Sequence, residues 1–401
     1  MKFNKLSQLF LVSFLGLFLA TLLTACDIVT VDFVYVASSA GSGTASNGVI
    51  DIYAVDSGSG AMRTDVASVS TGGVAPVSLA VTSDYANLYV ANAGSKTIVH
   101  FTIGLDGGLT QKDSVTLSAT PVAIAVNTAD TYLYVVSGTS SATLTEYSLS
   151  SGTIGTAATA SAPLNVGSDT IIPTGVTVLA NNAAVYVTAY DQSAYNPGGS
   201  TTSTANPGWV FGYAVGSGGA LTAATNSPYQ AGVKPSALVA APTNRFVYVT
   251  DYASSQMIGY SILDGSTLSF LTNGPFKTGN EPSAIVIDPR GKFLYLSNEL
   301  DNTVGAYSID LPTGTPTTTV NVTGSPLDST ATQPVAIVVD PALGRFVYTV
   351  NHLGNSVSGF VLDPTSGALK ATQASPYPIT GTMPTAIVAI PHGNHAIQAV
   401  D

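Results

Sequence analysis

A run of apolar residues that opens with proline, repeated seven times, constrains the fold of this chain more than any other feature. The prolines stand 45 to 62 residues apart, at Pro76, Pro121, Pro173, Pro235, Pro282, Pro334 and Pro384. A second run follows each proline after 13 or 14 residues and is centred on Tyr in the first six repeats. Two further short runs complete each repeat. Four short strands in a repeat of about 50 residues are typical of a β-propeller blade.

The composition of these runs predicts the order of the strands within a blade. The first run is apolar at nearly every position, as in 284–287, which is typical of a strand buried on both faces. The fourth run alternates with polar residues, as in 109–118, which suits an outer edge. No segment after Cys26 has a sustained helical period. We therefore expect an all-β chain of four-stranded blades.

Counting the repeats predicts a closed ring, a seven-bladed β-propeller. Six complete repeats lie between 76 and 382, whereas 31–72 lacks a first strand. The segment from Pro384 supplies that strand, so pairing of N- and C-terminal strands closes the seventh blade. A run at 395–400 also resembles a second strand and competes with 33–36. The sequence leaves open which of the two pairs in that blade.

The first 26 residues carry a separate signal. Lys2 and Lys5 precede twenty uncharged residues, and the Leu-Thr-Ala-Cys at 23–26 resembles the bacterial lipobox, in which the Cys becomes the lipidated first residue. We predict a lipoprotein, lipid-anchored through Cys26 to a bacterial membrane and lying outside the cytoplasm. An uncleaved membrane anchor is the alternative, and inner and outer membrane are not distinguished. The predicted organisation is a signal peptide, a tether and the propeller, at 1–25, 26–31 and 32–401.

The composition excludes several classes of protein. Charged residues make up 9% of the chain and hydrophobic residues 45%, which excludes general disorder. The net charge of −11 argues against nucleic acid as a partner, because phosphate binding needs clustered Lys and Arg. The single cysteine excludes an intrachain disulfide, so the stability of the fold must come from its core.

Recurring motifs identify a family resemblance. Four of the second runs start at Tyr and end in Asn or Asp, at 89–92, 248–251, 295–298 and 348–351. They are similar to the Tyr-Val-x-Asn repeats of surface-layer propellers. With the Asp-Pro-x-Gly-x-Phe-x-Tyr and Thr/Ser-Gly-x-Leu turns, they resemble the seven-bladed propeller lactonase family over residues 31–401. The resemblance implies the propeller fold. Since that family includes 6-phosphogluconolactonases, muconate-lactonising relatives and members of unknown activity, it implies activity on a lactone only weakly.

One face of the predicted ring gathers the candidate site residues. The loops between second and third strands, and those that lead into first strands, open on this face around the axis. Glu281 and Glu299, two of the three glutamates in the chain, fall there with His352 and Lys234. Such groups can supply a general base and a polarising cation, although solvated loop residues are the alternative. The catalytic candidates are Glu281, Glu299 and His352, and the ligand-binding candidates are Lys234, Asp251, Asn298, Asn351, Tyr190 and Trp209.

The longest interval between prolines contains an insertion, which lies at 190–209. It is rich in Gly, Ser, Thr, Asn and Pro, and it holds Tyr190, Tyr195 and the only Trp of the chain, Trp209. Long loops in compact domains often serve function, and Tyr and Trp suit apolar or sugar surfaces. A tolerated surface insertion is the alternative.

Metal signals are weak in this sequence. Asp-to-Gly segments such as 288–291 and 363–367 fit turns in which Asp accepts backbone N–H bonds, and they lack the ligand spacing of a calcium loop. His392 and His395 have no third ligand nearby in sequence. We therefore expect no cofactor and no metal site, while a divalent cation such as calcium stays open.

Two functional interpretations follow. The first is an envelope-anchored binding module whose loop face and insertion hold a protein, a glycan or a small molecule. The second is a lactonase-like hydrolase that opens a non-phosphorylated lactone at a central pocket. A phosphorylated lactone would need cations near the site, whereas three of the arginines fall in turns on the opposite face, at Arg245, Arg290 and Arg345. The scarcity of titratable residues favours the first interpretation, and convergence of Glu281, Glu299 and His352 in one pocket would favour the second.

Overall fold

The computed structural model is a ring of seven antiparallel sheets, each of which is one propeller blade. It describes residues 29–39, 46–139, 141–193, 207–318 and 332–393. Each innermost strand contacts the innermost strands of both neighbouring blades, so the ring is closed. Every sheet contains a path of four strands, ordered from the axis outward as the strand patterns predict. The predicted seven-bladed β-propeller is therefore confirmed.

The strand bounds follow the repeats, and blades are numbered here from the first complete repeat. The innermost strands are Pro76–Val81, Pro121–Val126, Ile171–Val178, Pro235–Ala240, Pro282–Ile287, Pro334–Val339 and Thr382–Pro391. The second strands are Asn87–Asn92, Tyr132–Ser137, Ala184–Asp191, Phe246–Asp251, Phe293–Asn298, Phe346–Asn351 and Thr30–Ser39. The third strands are Thr97–Ile103, Thr143–Ser150, Gly208–Val215, Gln256–Leu263, Thr303–Ile309, Ser356–Leu362 and Val49–Asp56. The outermost strands are Leu109–Thr116, Thr153–Pro163, Leu221–Ala223, Thr267–Phe270, Pro316–Thr318, Leu369–Ala371 and Met62–Arg63.

Short elements complete four of the blades. In each of these blades a two-residue strand follows the outermost strand in the chain and pairs with the third strand. These short strands are Tyr229–Gln230, Phe276–Lys277, Tyr377–Pro378 and Val69–Ser70. A single 3₁₀ turn spans Ser217–Gly219. Among the residues that the structure describes, no helix is long and apolar enough to cross a membrane.

The second strands, and not the innermost ones, form the most buried layer. Phe246–Asp251 is buried at all six positions, whereas Pro282–Ile287 has three buried and three half-buried positions. The expectation of innermost strands buried on both faces is therefore only half met. The reason is geometric: an innermost strand pairs with one neighbour in its sheet, and its other edge faces the axis of the ring.

Neighbouring blades are joined by a repeated contact that explains the Phe-x-Tyr motif. The Tyr295 hydroxyl donates to the carbonyl of Gly367, 2.9 Å away in the next blade. Gly367 has a φ of +74°, and a Cβ added there would lie 2.4 Å from the Phe293 ring. We call this the inter-blade tyrosine bond. It recurs at Tyr35–Gly107, Tyr89–Gly152, Tyr186–Ser266, Tyr248–Gly314 and Tyr348–Gly60.

The seventh blade contains both termini of the described chain. Thr382–Pro391 is its innermost strand and pairs with Thr30–Ser39, which in turn pairs with Val49–Asp56. Phe33 lies opposite Ile390, and Val36 lies opposite Ile387. The predicted closure is thus confirmed for these residues. The competing run at 395–400 lies outside the described residues, as do the signal peptide and residues 26–28 of the tether.

Aspartates at the strand-one to strand-two turns act as the sequence predicts. Asp288 accepts the N–H groups of Lys292 and Phe293, both at 2.7 Å, and Asp340 receives four such bonds in the equivalent turn. A third aspartate, Asp32, is fully buried at the start of Thr30–Ser39. Burial raises the pKa of Asp32 to about 10, and the nearby carboxylate of Asp340 adds to this effect. Asp32 is therefore protonated at neutral pH.

Candidate functional site

The candidate residues occupy equivalent positions on three adjacent blades, the fourth, fifth and sixth. In each blade the residue before the innermost strand accepts a backbone hydrogen bond from the residue after the second strand, at 2.8–2.9 Å. The pairs are Lys234 with Tyr252, Glu281 with Glu299, and Gln333 with His352. We call the face on which these loops open the top face. The propeller geometry alone therefore places Lys234, Glu281, Glu299 and His352 side by side.

The left-handed backbone at Glu281 belongs to the fold. Its φ is +54°, which is uncommon for a residue with a side chain. Ala75 and Gln333 precede their innermost strands with φ values of +55° and +61°, and Met383, directly before Pro384 in the equivalent position, has +48°. Because chemically unrelated residues share this conformation, it is a property of the loop and no mark of catalysis.

Tyr252 connects the charged groups of the site. Its hydroxyl donates to Glu281 Oε2 at 2.8 Å, and its presence acts to lower the pKa of Glu299. The Lys234 ammonium lies 4.2 Å from the centre of the Tyr252 ring, within cation–π range. All four side chains are half-buried. The sequence analysis missed Tyr252, although it stands directly after a second strand, as Glu299 and His352 do.

The electrostatics couple two carboxylates and two basic groups. Burial raises the pKa of Glu299, the neighbouring Glu281 raises it further, and Lys234 and His352 oppose this shift. Burial also lowers the pKa of Lys234, against the attraction of Glu299 and Glu281. Glu299 thus holds a proton more readily than a solvated glutamate, and Lys234 releases one more readily than a solvated lysine. Such opposed shifts are typical of sites that exchange protons.

His352 is oriented by the last blade. Its Nδ1 lies 3.0 Å from the carbonyl oxygen of Pro384. Because a carbonyl only accepts, Nδ1 carries the proton of this bond and Nε2 is left for proton exchange. His352 opposes the rise in the pKa of Glu299.

Three predicted ligand-binding residues lie beneath the loops. Asp251 is fully buried and accepts the N–H groups of Val233 and Lys234 at 3.0 and 2.9 Å. Asn298 and Asn351 are also buried, and their Nδ2 atoms donate to hydroxyls of the following third strands. These contacts favour a supporting role, in which Asp251 positions the loop that carries Lys234.

The insertion flanks the same cluster. Tyr190 is the last residue but one of the second strand of blade three, and its ring centre lies 6.0 Å from the Lys234 ammonium. Trp209 is the second residue of the third strand of that blade and packs, half-buried, on the core between blades two and three. The N-terminal end of the insertion therefore lies beside Lys234. Residues 194–206, Tyr195 included, lie outside the described residues.

No metal cluster is present in the described part of the chain, where no three His, Cys, Asp or Glu side chains are grouped closely enough to hold an ion. His395 and Cys26 lie outside that part. The arginines of the opposite face are engaged locally: Arg245 donates to the carbonyls of Leu311 and Pro312, and Arg290 pairs with Asp288.

Comparison with known proteins agrees with the seven-bladed fold. The family model for seven-bladed β-propeller lactonases matches residues 105–399. No curated protein matches the chain significantly. Among solved structures, the periplasmic gluconolactonase of Pseudomonas aeruginosa has a TM-score of 0.73 at 17% identity, covering 91% of this chain and 100% of its own. A putative 6-phosphogluconolactonase from Bacteroides uniformis has a TM-score of 0.71 at 17% identity, covering 90% and 100%.

A second Bacteroides protein gives the same fold. The putative 6-phosphogluconolactonase of Bacteroides fragilis has a TM-score of 0.68 at 18% identity, covering 92% of this chain and 99% of its own. These identities establish the architecture alone, whereas the family model spans well over half of the sequence. The chain therefore belongs to the lactonase family of seven-bladed β-propellers.

Proposed function

We propose that this protein is a lactone hydrolase that acts at the top face of blades four to six. The observation that carries the proposal is the convergence of Lys234, Glu281, Glu299 and His352, whose charges act on one another across three blades. Family membership supports the hydrolase over the binding module.

Glu299 is the general base of the proposed reaction. A base works best when its pKa approaches the working pH, and burial together with Glu281 shifts Glu299 in that direction. It removes a proton from a water molecule as the oxygen of that water bonds to the lactone carbonyl carbon.

Lys234 stabilises the oxyanion that this attack creates. The ammonium lies against the Tyr252 ring, and burial strengthens its field by excluding water. Glu281 accepts the hydroxyl of Tyr252 and balances the charge of Lys234.

His352 completes the turnover. The ring carbon–oxygen bond breaks as the tetrahedral intermediate collapses. The proton that Glu299 took from water passes through His352 Nε2 to the departing alkoxide, so one water and one lactone give one hydroxy acid.

The substrate is a non-phosphorylated lactone. Lys234 is the one cation among the clustered side chains in the described part of the chain, and Arg245 and Arg290 are bound to their own turns on the opposite face. A phosphoryl group calls for a bidentate Arg or several Lys side chains.

A turnover screen tests the proposal. The protein is assayed against glucono-δ-lactone, its 6-phosphate and γ-butyrolactone, with and without calcium. Replacement Glu299→Gln should lower kcat about 10²- to 10⁴-fold, as expected for loss of a general base. Asp288→Asn, in a turn on the opposite face, is the control and should spare the rate while lowering stability. The proposal fails if no lactone is opened between pH 5 and 9, or if turnover survives Glu299→Gln.

The pH profile gives a second readout. Activity needs ionised Glu299, so kcat/KM should rise with pH through its raised pKa. In Glu281→Gln the neighbouring negative charge is lost, and the acidic limb should move to lower pH, because that charge helps to raise the pKa of Glu299. An unchanged acidic limb would contradict the assignment of Glu299 as the base.

We also propose that the protein is a lipoprotein of the bacterial envelope, anchored through Cys26. The sequence at 23–26 supports this, and one structural relative is described as periplasmic. Replacement of Cys26 with Ser should release the protein from membranes or leave the precursor unprocessed. Membrane retention with normal processing would contradict the lipid anchor.

A further inference from the structure

A cavity between the third and fourth blades is lined by residues other than those of the proposed catalytic cluster. Its volume is about 260 Å³, and its walls include Gln230, Gln256, Gly259, Phe270 and Gly274. Gly259 lies on the third strand, Phe270 ends the outermost strand, and Gly274 lies in the turn that follows. The mechanism proposed above uses none of these residues.

The turn that holds Gly274 occurs in three blades with the same backbone. In each blade the residue directly after the outermost strand donates its N–H to the carbonyl of a glycine on the third strand, at 2.8–2.9 Å. The donors are Ala224, Leu271 and Thr372. Two residues further on the backbone is left-handed in every case, at Asn226, Asn273 and Ala374. The glycines that accept these bonds are Gly212, Gly259 and Gly359.

The next residue of the turn distinguishes the fourth blade from the other two. In blade three the Ser227 hydroxyl accepts the N–H of Gly212 at 2.9 Å, and in blade six Ser375 accepts the N–H of Gly359 at 3.0 Å. Blade four has Gly274 at this position. The volume of a serine side chain is therefore left to the cavity, and the N–H of Gly259 faces it with no serine hydroxyl in reach.

The other walls are aromatic and amide groups. Phe270 is 57% exposed, and one face of its ring packs on Tyr260 with ring centres 5.1 Å apart. Gln256 donates its amide nitrogen to Asp251 at 2.9 Å, which leaves its carbonyl oxygen as an acceptor. Gln230 is exposed and adds a further amide at the rim.

We propose that this cavity binds one pyranose ring. A sugar hydroxyl takes the place of the missing serine hydroxyl and accepts the N–H of Gly259. A second hydroxyl donates to the carbonyl of Gln256, and the C–H face of the ring packs on Phe270, as sugars pack on aromatic side chains. The cavity lies near the lower end of the size range of small-molecule sites, which matches a monosaccharide and excludes a drug-sized ligand.

Saturation-transfer NMR with methyl α-D-glucopyranoside and methyl β-D-galactopyranoside tests this site. Neither probe is a lactone, so the result does not depend on the proposed hydrolase. The decisive variant is Gly274→Ser, which restores the residue of blades three and six. The backbone at Gly274 is not left-handed, and an added Cβ would lie no closer than 3.3 Å to any neighbouring atom, so the serine fits.

The expected result is transfer to at least one pyranoside in the wild type, reduced at least about tenfold in both Gly274→Ser and Phe270→Ala. Because more than half of Phe270 is exposed, its replacement should lower the melting temperature only slightly and keeps the test decisive if Gly274→Ser folds poorly. Glu299→Gln is the matched control and should bind as the wild type does. The proposal is overturned if neither pyranoside receives saturation, if transfer survives Gly274→Ser, or if Glu299→Gln abolishes it.

Discussion

Replacement of Tyr348 with Phe measures the contribution of the inter-blade tyrosine bond to stability. The Tyr348 hydroxyl donates to the carbonyl of Gly60 at 2.7 Å and joins the sixth blade to the seventh. Both residues are buried, so the change leaves a carbonyl with neither its donor nor water. Such an unsatisfied acceptor lowers the free energy of unfolding by about 1–3 kcal/mol, whereas the packing of the ring itself is unchanged.

The matched control is Tyr186→Phe in the third blade. Its hydroxyl donates at 2.8 Å to Ser266, which is only half-buried, so water can replace the lost donor. The expected loss is then about 0.5–1 kcal/mol, the net value of a hydrogen bond that water can replace.

Urea unfolding followed by the fluorescence of Trp209, the only tryptophan, distinguishes the two variants. With an m-value of about 3 kcal/mol per M, a loss of 2 kcal/mol, roughly the centre of the expected range, lowers the midpoint by about 0.7 M. Tyr186→Phe should shift it by about a third as much. Equal shifts in the two variants would refute the argument, because it rests on the difference in burial of the acceptor.

Three further outcomes are expected. Asp32→Asn should raise the melting temperature more at pH 8 than at pH 5. The pKa of Asp32 is higher in the folded than in the unfolded protein, so the stability contributed by its protonated carboxyl is complete at acid pH and is lost as the pH rises toward about 10. Gly367→Ala should lower the free energy of unfolding, measured in urea, by about 2–4 kcal/mol, because the added Cβ meets the Phe293 ring. Gly265→Ala has a similar φ but no atom within 4 Å of the added Cβ, and it should lower that free energy by only about 1 kcal/mol. Removal of 382–401 should abolish cooperative melting, because it takes away the innermost strand of the seventh blade.

The sequence predicts the architecture well because the repeat encodes it directly. A proline-led apolar run recurs in every blade, and the absence of such a run in 31–72 was sufficient to assign Thr382–Pro391 to the seventh blade. The half-burial of the innermost strands was not predicted, since it depends on the space at the axis. The inter-blade tyrosine bonds were also missed, because their partners stand 63 to 288 residues apart.

The candidate site was predictable to the level of its face and its charged residues. Lys234, Glu281, Glu299 and His352 could be placed together because each stands at a fixed offset from a strand end. The roles of Asp251, Asn298 and Asn351 could not, because the same offset does not tell whether a side chain points into the loop or toward the axis. Tyr252 was overlooked although it shares the offset of Glu299, since a tyrosine carries no charge to draw attention to it.

The composition of the seventh blade has a consequence for biosynthesis. A chain that is made from its N-terminus presents Thr30–Ser39 and Val49–Asp56 long before Thr382–Pro391 exists. Each of the other six blades can assemble from contiguous sequence as it emerges, but the inner edge of Thr30–Ser39 keeps its backbone groups unpaired throughout synthesis. Ring closure therefore waits until Thr382–Pro391 has been made. A nascent chain interrupted before that strand would carry six formed blades and one open strand edge, which is a template for aggregation with its own copies.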